Sequence, residues 1–84
     1  MSDKKLKNIF TLDLLNIDES GIVTQISHDS NSTRQRLLEM GLTIGTKVQV
    51  IRFAPLGDPI EISLRGYRLS LRKNEAHGIL IQKD

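Results

Sequence analysis

The stretch from Ile60 to Arg72 constrains this chain more than any other. Ile60, Ile62 and Leu64 alternate with Glu61, Ser63 and Arg65; past Gly66, Tyr67, Leu69 and Leu71 alternate with Arg68, Ser70 and Arg72 in the opposite phase. A period of two marks a strand with one buried face. Reversal of phase across a glycine is explained most simply by a tight hairpin turn, and second by a bulge. An isolated hairpin is at best marginal in water, so the rest of the chain must cover its apolar face.

Upstream, the period changes and then returns. Ile22 to Ile26 is rich in β-branched residues and reads as a strand. Ser27 to Ser32 is a cluster of turn and cap formers. Arg34 to Met40 contains good helix formers, with Ser32 and Gln35 spaced as a capping box. Leu37, Leu38 and Met40 share an apolar flank, while Arg36 and Glu39 point outward. Gly41 suits the left-handed position that ends a helix and folds Leu42 back on Leu37. A second turn around Gly45 leads into a strand from Lys47 to Phe53, where Val48 and Val50 alternate with Lys47 and Gln49. Ala54 to Pro59 is a proline-stiffened loop, Lys73 to Gly78 fits one helical turn, and Ile79 to Ile81 closes as a short strand.

About five short strands make too small a sheet to hide an apolar face while flat. Curled into a barrel, with the inserted helix over one open end, they hide it and lose most of their edges. The expected fold is therefore mainly β: an SH3-like barrel with one short inserted helix and a helical turn near the C-terminus. Residues 1–10 are expected to form a polar lead with Lys4, Lys5 and Lys7 in solvent, and residues 11–84 a single domain.

Composition then narrows the function classes. A chain of 84 residues holds one core and buries roughly 60–65% of its unfolded surface, which argues against a large enclosed active site. Twelve Lys and Arg against ten Asp and Glu leave a net charge of only +2, less basic than the pI near 9.2 implies. Phe10, Phe53 and Tyr67 are the whole aromatic set and are not interleaved with basic residues, so neither base stacking nor a proline-peptide groove is expected. With no cysteine, disulfides, thiolate metal sites and a thiol nucleophile are excluded. The lysines near the start are not followed by an apolar run, and nothing approaches the roughly 18 apolar residues of a membrane span. The expected location is cytoplasmic, without direct membrane insertion.

No reactive constellation emerges. The serines fall in turns or on strand faces, outside any nucleophile-elbow pattern. Gly41 to Gly45 runs into Thr46 and Lys47 rather than the Gly-Lys-Ser/Thr of a phosphate loop. Metal-ligand candidates are His28 and His77 with Asp13, Asp18, Glu19, Asp29, Asp58, Glu61 and Glu75. Their spacing favours two solvent histidines over a ligand set. The expectation is no catalytic, cofactor or metal site. Contact surfaces are the better candidates: Leu38 and Met40 on the helix, Leu56, Gly57 and Asp58 at the loop tip, and Arg68 and Arg72 on one strand face, joined by Arg65 across the hairpin. Against these stand plainer accounts, in which the helix residues are core and the arginines a solvated face that deters edge pairing.

Taken together, Leu37-Leu38-Glu39-Met40-Gly41-Leu42, the Gly45 turn, Pro55-Leu56-Gly57-Asp58-Pro59, Arg65-Gly66-Tyr67, and Leu71-Arg72-Lys73 followed by Glu75-Ala76 resemble ferrous iron transport protein A, FeoA. The resemblance spans roughly residues 11–81. It departs at Leu15-Asn16-Ile17-Asp18-Glu19, where the family commonly reads Leu-Lys-Pro-Gly-Glu. The resemblance implies an SH3-like, non-enzymatic cytoplasmic accessory of the FeoB-type ferrous iron permease, which carries a GTP-binding domain. A metal-responsive module akin to the C-terminal barrel of iron-dependent repressors is the alternative. No nucleic-acid partner is expected, and a homodimer is permitted but not required.

Overall fold

The computed structural model describes residues 8–84. Its elements are β1 (Ile9–Thr11), a 3-10 turn (Leu12–Leu14), β2 (Ser20–Ile26), α1 (Asn31–Glu39), β3 (Lys47–Phe53), β4 (Ile60–Leu64), β5 (Tyr67–Leu71), α2 (Lys73–His77) and β6 (Ile79–Lys83). The six strands form one antiparallel sheet in the order β1-β6-β2-β3-β4-β5. One strand more than expected is present. Ile9 and Phe10, assigned above to the polar lead, pair with Gln82 and Ile81, and Phe10 packs against the core. Expectations for Lys4, Lys5 and Lys7 lie outside the described residues.

The phase reversal at Gly66 is a hairpin. Leu64 pairs with Tyr67, and Arg65 and Gly66 have φ of 49° and 85°. Positive φ at both central residues is what a type I′ turn requires, and its twist matches that of the strands. Two register shifts bend the sheet: one between Val50 and Arg52 on β3, one between Val23 and Gln25 on β2. Each bulge adds twist. The second lets Val23 and Ile26 both face inward despite their odd spacing. Side chains from the 3-10 turn, α1 and all of β2 to β6 consequently meet in one cluster, which includes Leu12, Leu37, Val50, Ile62, Leu71 and Ile81. Gly21 permits a close approach of β2 to β6; a Cβ there would run into the Gln82 carbonyl and the Ile81 side chain.

Helix α1 begins earlier than the sequence suggests. Ser30, with an extended backbone, is the N-cap and accepts from the Thr33 N–H at 3.3 Å, so the Ser32–Gln35 capping box does not form. Both serines suit a cap; the extended backbone at Ser30 decides between them. Its other end matches expectation. The Gly41 N–H donates to the Leu38 carbonyl at 3.0 Å and the Leu42 N–H to the Leu37 carbonyl at 3.1 Å, with Gly41 at φ 103°. This is a Schellman ending. Leu37 and Leu42 are both fully buried, each contributing about 1.5–3 kcal/mol of burial.

Two further turns share one geometry. Thr46 donates back to Thr43 at 3.1 Å around Gly45, and Glu19 donates back to Asn16 at 3.0 Å around Asp18. Gly45 and Asp18 have φ of 93° and 72°. The Asn16–Glu19 turn thus survives with an aspartate at the position where the resembled family has glycine. The sheet edges β1 and β5 are not paired to each other. Instead α2, which follows β5, packs against the 3-10 turn that follows β1 and spans the gap at that end.

Candidate functional site

Of the residues expected to meet a partner, one group gathers around α2. In the Ala54–Pro59 loop, the Gly57 N–H donates to the Ala54 carbonyl at 2.7 Å and the Ala54 N–H to the Pro59 carbonyl at 3.0 Å. Asp58 Oδ1 accepts from the Lys73 N–H at 2.9 Å, tying the loop to the start of α2. These bonds leave Leu56 at the tip, 96% exposed. Asp58 and Arg72 are brought together: with Asp13, Lys73, Asn74 and His77 they line an open cavity of about 620 Å³. His77 Nδ1 lies 3.1 Å from Asp13 Oδ2, and the Thr11 hydroxyl also donates to Asp13.

A second group lies at the C-terminal end of α1. Leu38 is 36% exposed, whereas Met40 is half-buried and packs against the core. The Tyr67 hydroxyl donates to the Met40 carbonyl. Tyr67, expected to face the core with Leu69 and Leu71, is 42% exposed because it is the first residue after the turn. Ile44, next to Gly45 in the sequence and 72% exposed, escaped the sequence reading. The signal was available, since an apolar residue preceding a turn glycine has no strand or helix to bury it.

Arg65 does not join the strand arginines. Its Nη2 donates to Thr43 Oγ1 and Thr46 Oγ1, both at 2.9 Å, and its Nε to the Gly41 carbonyl at 3.4 Å. The orphan carbonyl and the two hydroxyls at the helix end draw the guanidinium there. Arg68 on β5 and Arg72 just past its end remain exposed.

The histidines are not both solvent residues. His28 is half-buried, with Nε2 2.8 Å from the Glu75 carbonyl. A carbonyl only accepts, so Nε2 carries the proton. The ring covers Gly78, where a Cβ would collide with it. His77 is the exposed one. Among the described residues no group of three or more His, Asp or Glu converges as a metal site would. Glu75 is buried, accepting from the Arg72 N–H at 2.9 Å and pairing with Arg36. Arg36 therefore does not simply point to water. At the other end of β6, the Asn16 N–H and then Lys83 hold the Glu19 carboxyl below its ordinary value. The Ser20 hydroxyl and then Lys47 do the same for Asp84.

Over residues 10–83 the chain matches the FeoA domain family. It belongs to that family. The FeoA protein of Chlorobium tepidum is 40% identical, with a TM-score of 0.79 over 87% of this chain and 70% of that one. A Stenotrophomonas maltophilia FeoA solved with zinc, described as a prokaryotic SH3 domain protein, is 25% identical with a TM-score of 0.77, covering 89% and 95% of the two chains. Among curated relatives, a fusion of Fe(2+) transport protein A with the Fe(2+) transporter FeoB from Porphyromonas gingivalis is 39% identical over 49 residues. That match spans 58% of this chain and 6% of the fusion protein's length. A manganese-dependent transcriptional repressor shares the fold alone, with a TM-score of 0.83 at 14% identity over 90% of this chain and 42% of its own. Like other FeoA members it is a mainly β, SH3-like domain, and no helix among the described residues is long and apolar enough to cross a membrane.

Proposed function

We propose that this FeoA-family protein is a non-catalytic accessory of ferrous iron uptake that acts in the cytoplasm by docking on a FeoB-type permease. The observation that carries this reading is the Porphyromonas gingivalis fusion, in which a segment like this one shares a polypeptide with FeoB. Tethering two domains raises their effective concentration, which is useful when they contact each other. The docking residues in this reading are Leu56, Gly57 and Asp58 at the loop tip, with Leu38 on α1 and Met40 at its C-cap as a second contact patch. Leu56 exposes nearly all of its side chain, and Leu38 keeps an apolar flank beyond what the core takes. The metal-responsive alternative leans on the repressor likeness, which concerns the fold alone.

The test is binding of the purified protein to a FeoB permease in detergent or nanodiscs, together with Fe(II) uptake by cells with and without it. Leu56→Asp should weaken binding at least tenfold with no change in melting temperature. Leu38→Asp should weaken it too, scored only after circular dichroism shows a folded protein. Unchanged uptake on deletion, with no measurable binding, would refute the proposal.

A further inference from the structure

We propose that the free edge of β5 receives an extended acidic segment of another protein as an added strand. This does not depend on the permease reading. A two-residue turn makes its flanking residues a hydrogen-bonded pair. Leu64 and Tyr67 flank the turn, so Ile62–Leu69 and Ile60–Leu71 are hydrogen-bonded pairs as well. The N–H and C=O groups of Arg68 and Ser70 then point away from β4, toward the side on which β5 has no paired strand among the described residues. No turn or loop backbone among the described residues bonds to them. Arg68 and Ser70 are exposed, and Leu69 is only half-buried although it faces the core, as expected where a sheet stops. An open groove of about 370 Å³ runs past Ser70 and Arg72, bounded by Arg36, Pro59 and Glu75. The edge has neither proline nor bulge to blunt it, and it is five residues long where β1 has three.

Charge selects the occupant. Arg68 and Arg72 share the outer face with Ser70, and neither forms an ion pair among the described residues. Glu61, opposite Ser70, is already paired with Arg52 at 3.2 Å. A second copy of β5 is the poorer match: a two-fold pairing centred on Ser70 sets Arg68 against Arg72, and one centred on Leu69 sets Arg68 against Ser70 but still gathers the arginines of both copies on one face without an acidic partner. A strand with acidic residues outward and apolar residues inward matches both faces, since the acids meet the arginines and the apolar side chains cover Leu69.

The probe is a blocked peptide, Gly-Glu-Val-Glu-Val-Glu-Gly, with a control carrying lysine at each glutamate position. Titrated into the isotopically labelled protein, the acidic peptide should shift the Arg68 and Ser70 amides and slow their hydrogen exchange. Arg68→Glu should lower its affinity about tenfold, as attraction across the ladder becomes repulsion, and should let the lysine peptide bind. Ser70→Pro removes one edge N–H while leaving the charge, and should lower affinity by a similar factor with the fold intact by melting temperature. Equal binding of both peptides, unprotected edge amides, or indifference to Ser70→Pro would each overturn the proposal. In that event the arginines serve only to keep the edge unpaired.

Discussion

Replacing Glu75 by alanine tests whether α2 is held by its own cap or by its ion pair. In the folded protein one carboxylate oxygen accepts the Arg72 N–H at 2.9 Å and the other meets the Arg36 guanidinium. Removing the side chain strips the first turn of α2 of its cap, worth about 1 kcal/mol. It also deletes a largely buried methylene, about 0.8 kcal/mol. The Arg36 side chain is 55% exposed and can return to water, so its share stays within about 1 kcal/mol. The total is roughly 2–3 kcal/mol, or about 10–20 °C in melting temperature for a domain of this size. Urea and thermal denaturation followed by circular dichroism would measure it. Glu75→Gln keeps an acceptor for the Arg72 N–H and should lose about half as much. Arg36→Ala leaves the buried Glu75 carboxylate with the Arg72 N–H as its remaining partner and should cost about 1–2 kcal/mol, still less than Glu75→Ala. The reasoning fails if Glu75→Ala falls within about 0.5 kcal/mol of wild type, the ordinary range for a surface change. It also fails if Arg36→Ala costs as much as Glu75→Ala, which would move the energy from the cap to the ion pair.

Asp18 holds φ at 72°, a conformation in which an L side chain is strained and glycine is not. Asp18→Gly should raise stability by about 0.5 kcal/mol, the relief of strain outweighing the added freedom of the unfolded chain; a drop in melting temperature would show that Asp18 makes a compensating contact. Acid should act through Glu19 and Asp84, whose carboxyls are both held below their ordinary values in the folded state. Their contribution is complete above the unfolded values, near pH 4, and is lost as pH falls through the lower folded values. Melting temperature should therefore hold level from pH 7 to about 5 and fall below about 4, less steeply in a Glu19→Gln, Asp84→Asn double variant and at high salt. An equally steep fall in the double variant would assign the acid sensitivity to other carboxylates.

What was legible in the sequence was local. The Schellman ending at Gly41, the turn at Gly45 and the hairpin at Gly66 are each specified within a few residues, by a glycine at a position where φ is positive and apolar neighbours that must meet. The buried alternation of β3 and β4 was legible for the same reason. Contacts between residues distant in the chain were not. Arg65 leaves the other arginines because the Gly41 carbonyl and two threonine hydroxyls, about twenty residues earlier, need donors. His28 leaves solvent because Gly78 and the Glu75 carbonyl, far along the chain, form its seat. β1 is three residues long and follows a lysine-rich start, so nothing local distinguishes it. Its pairing with β6 is what makes it a strand. At the candidate site, Leu56 was visible because prolines and a glycine announce an exposed tip, while Ile44 was overlooked and Asp58's bond to α2 depends on tertiary approach.

The same distinction explains how the barrel is closed. Backbone pairing runs unbroken from β1 to β5 and stops there, so the ends of the sheet are joined through α2 rather than by a ladder. Apart from the loop bearing Leu56, three polar contacts hold that helix: His77 with Asp13 of the 3-10 turn, Glu75 with Arg36 of α1, and the Glu75 carbonyl with His28. Ala76, fully buried, supplies the apolar anchor. A side-chain closure leaves the outer edge of β5 without a partner strand among the described residues, which a ladder would not. The loop bearing Leu56 is fastened to the same helix through Asp58 and Lys73. Leu56 itself takes no part in that fastening and buries almost nothing. Its apolar surface is free to contribute to association, whereas removing Asp58 would loosen the loop that presents it. The two residues are only two positions apart in sequence, yet only Leu56 can be changed to test binding without also testing the fold.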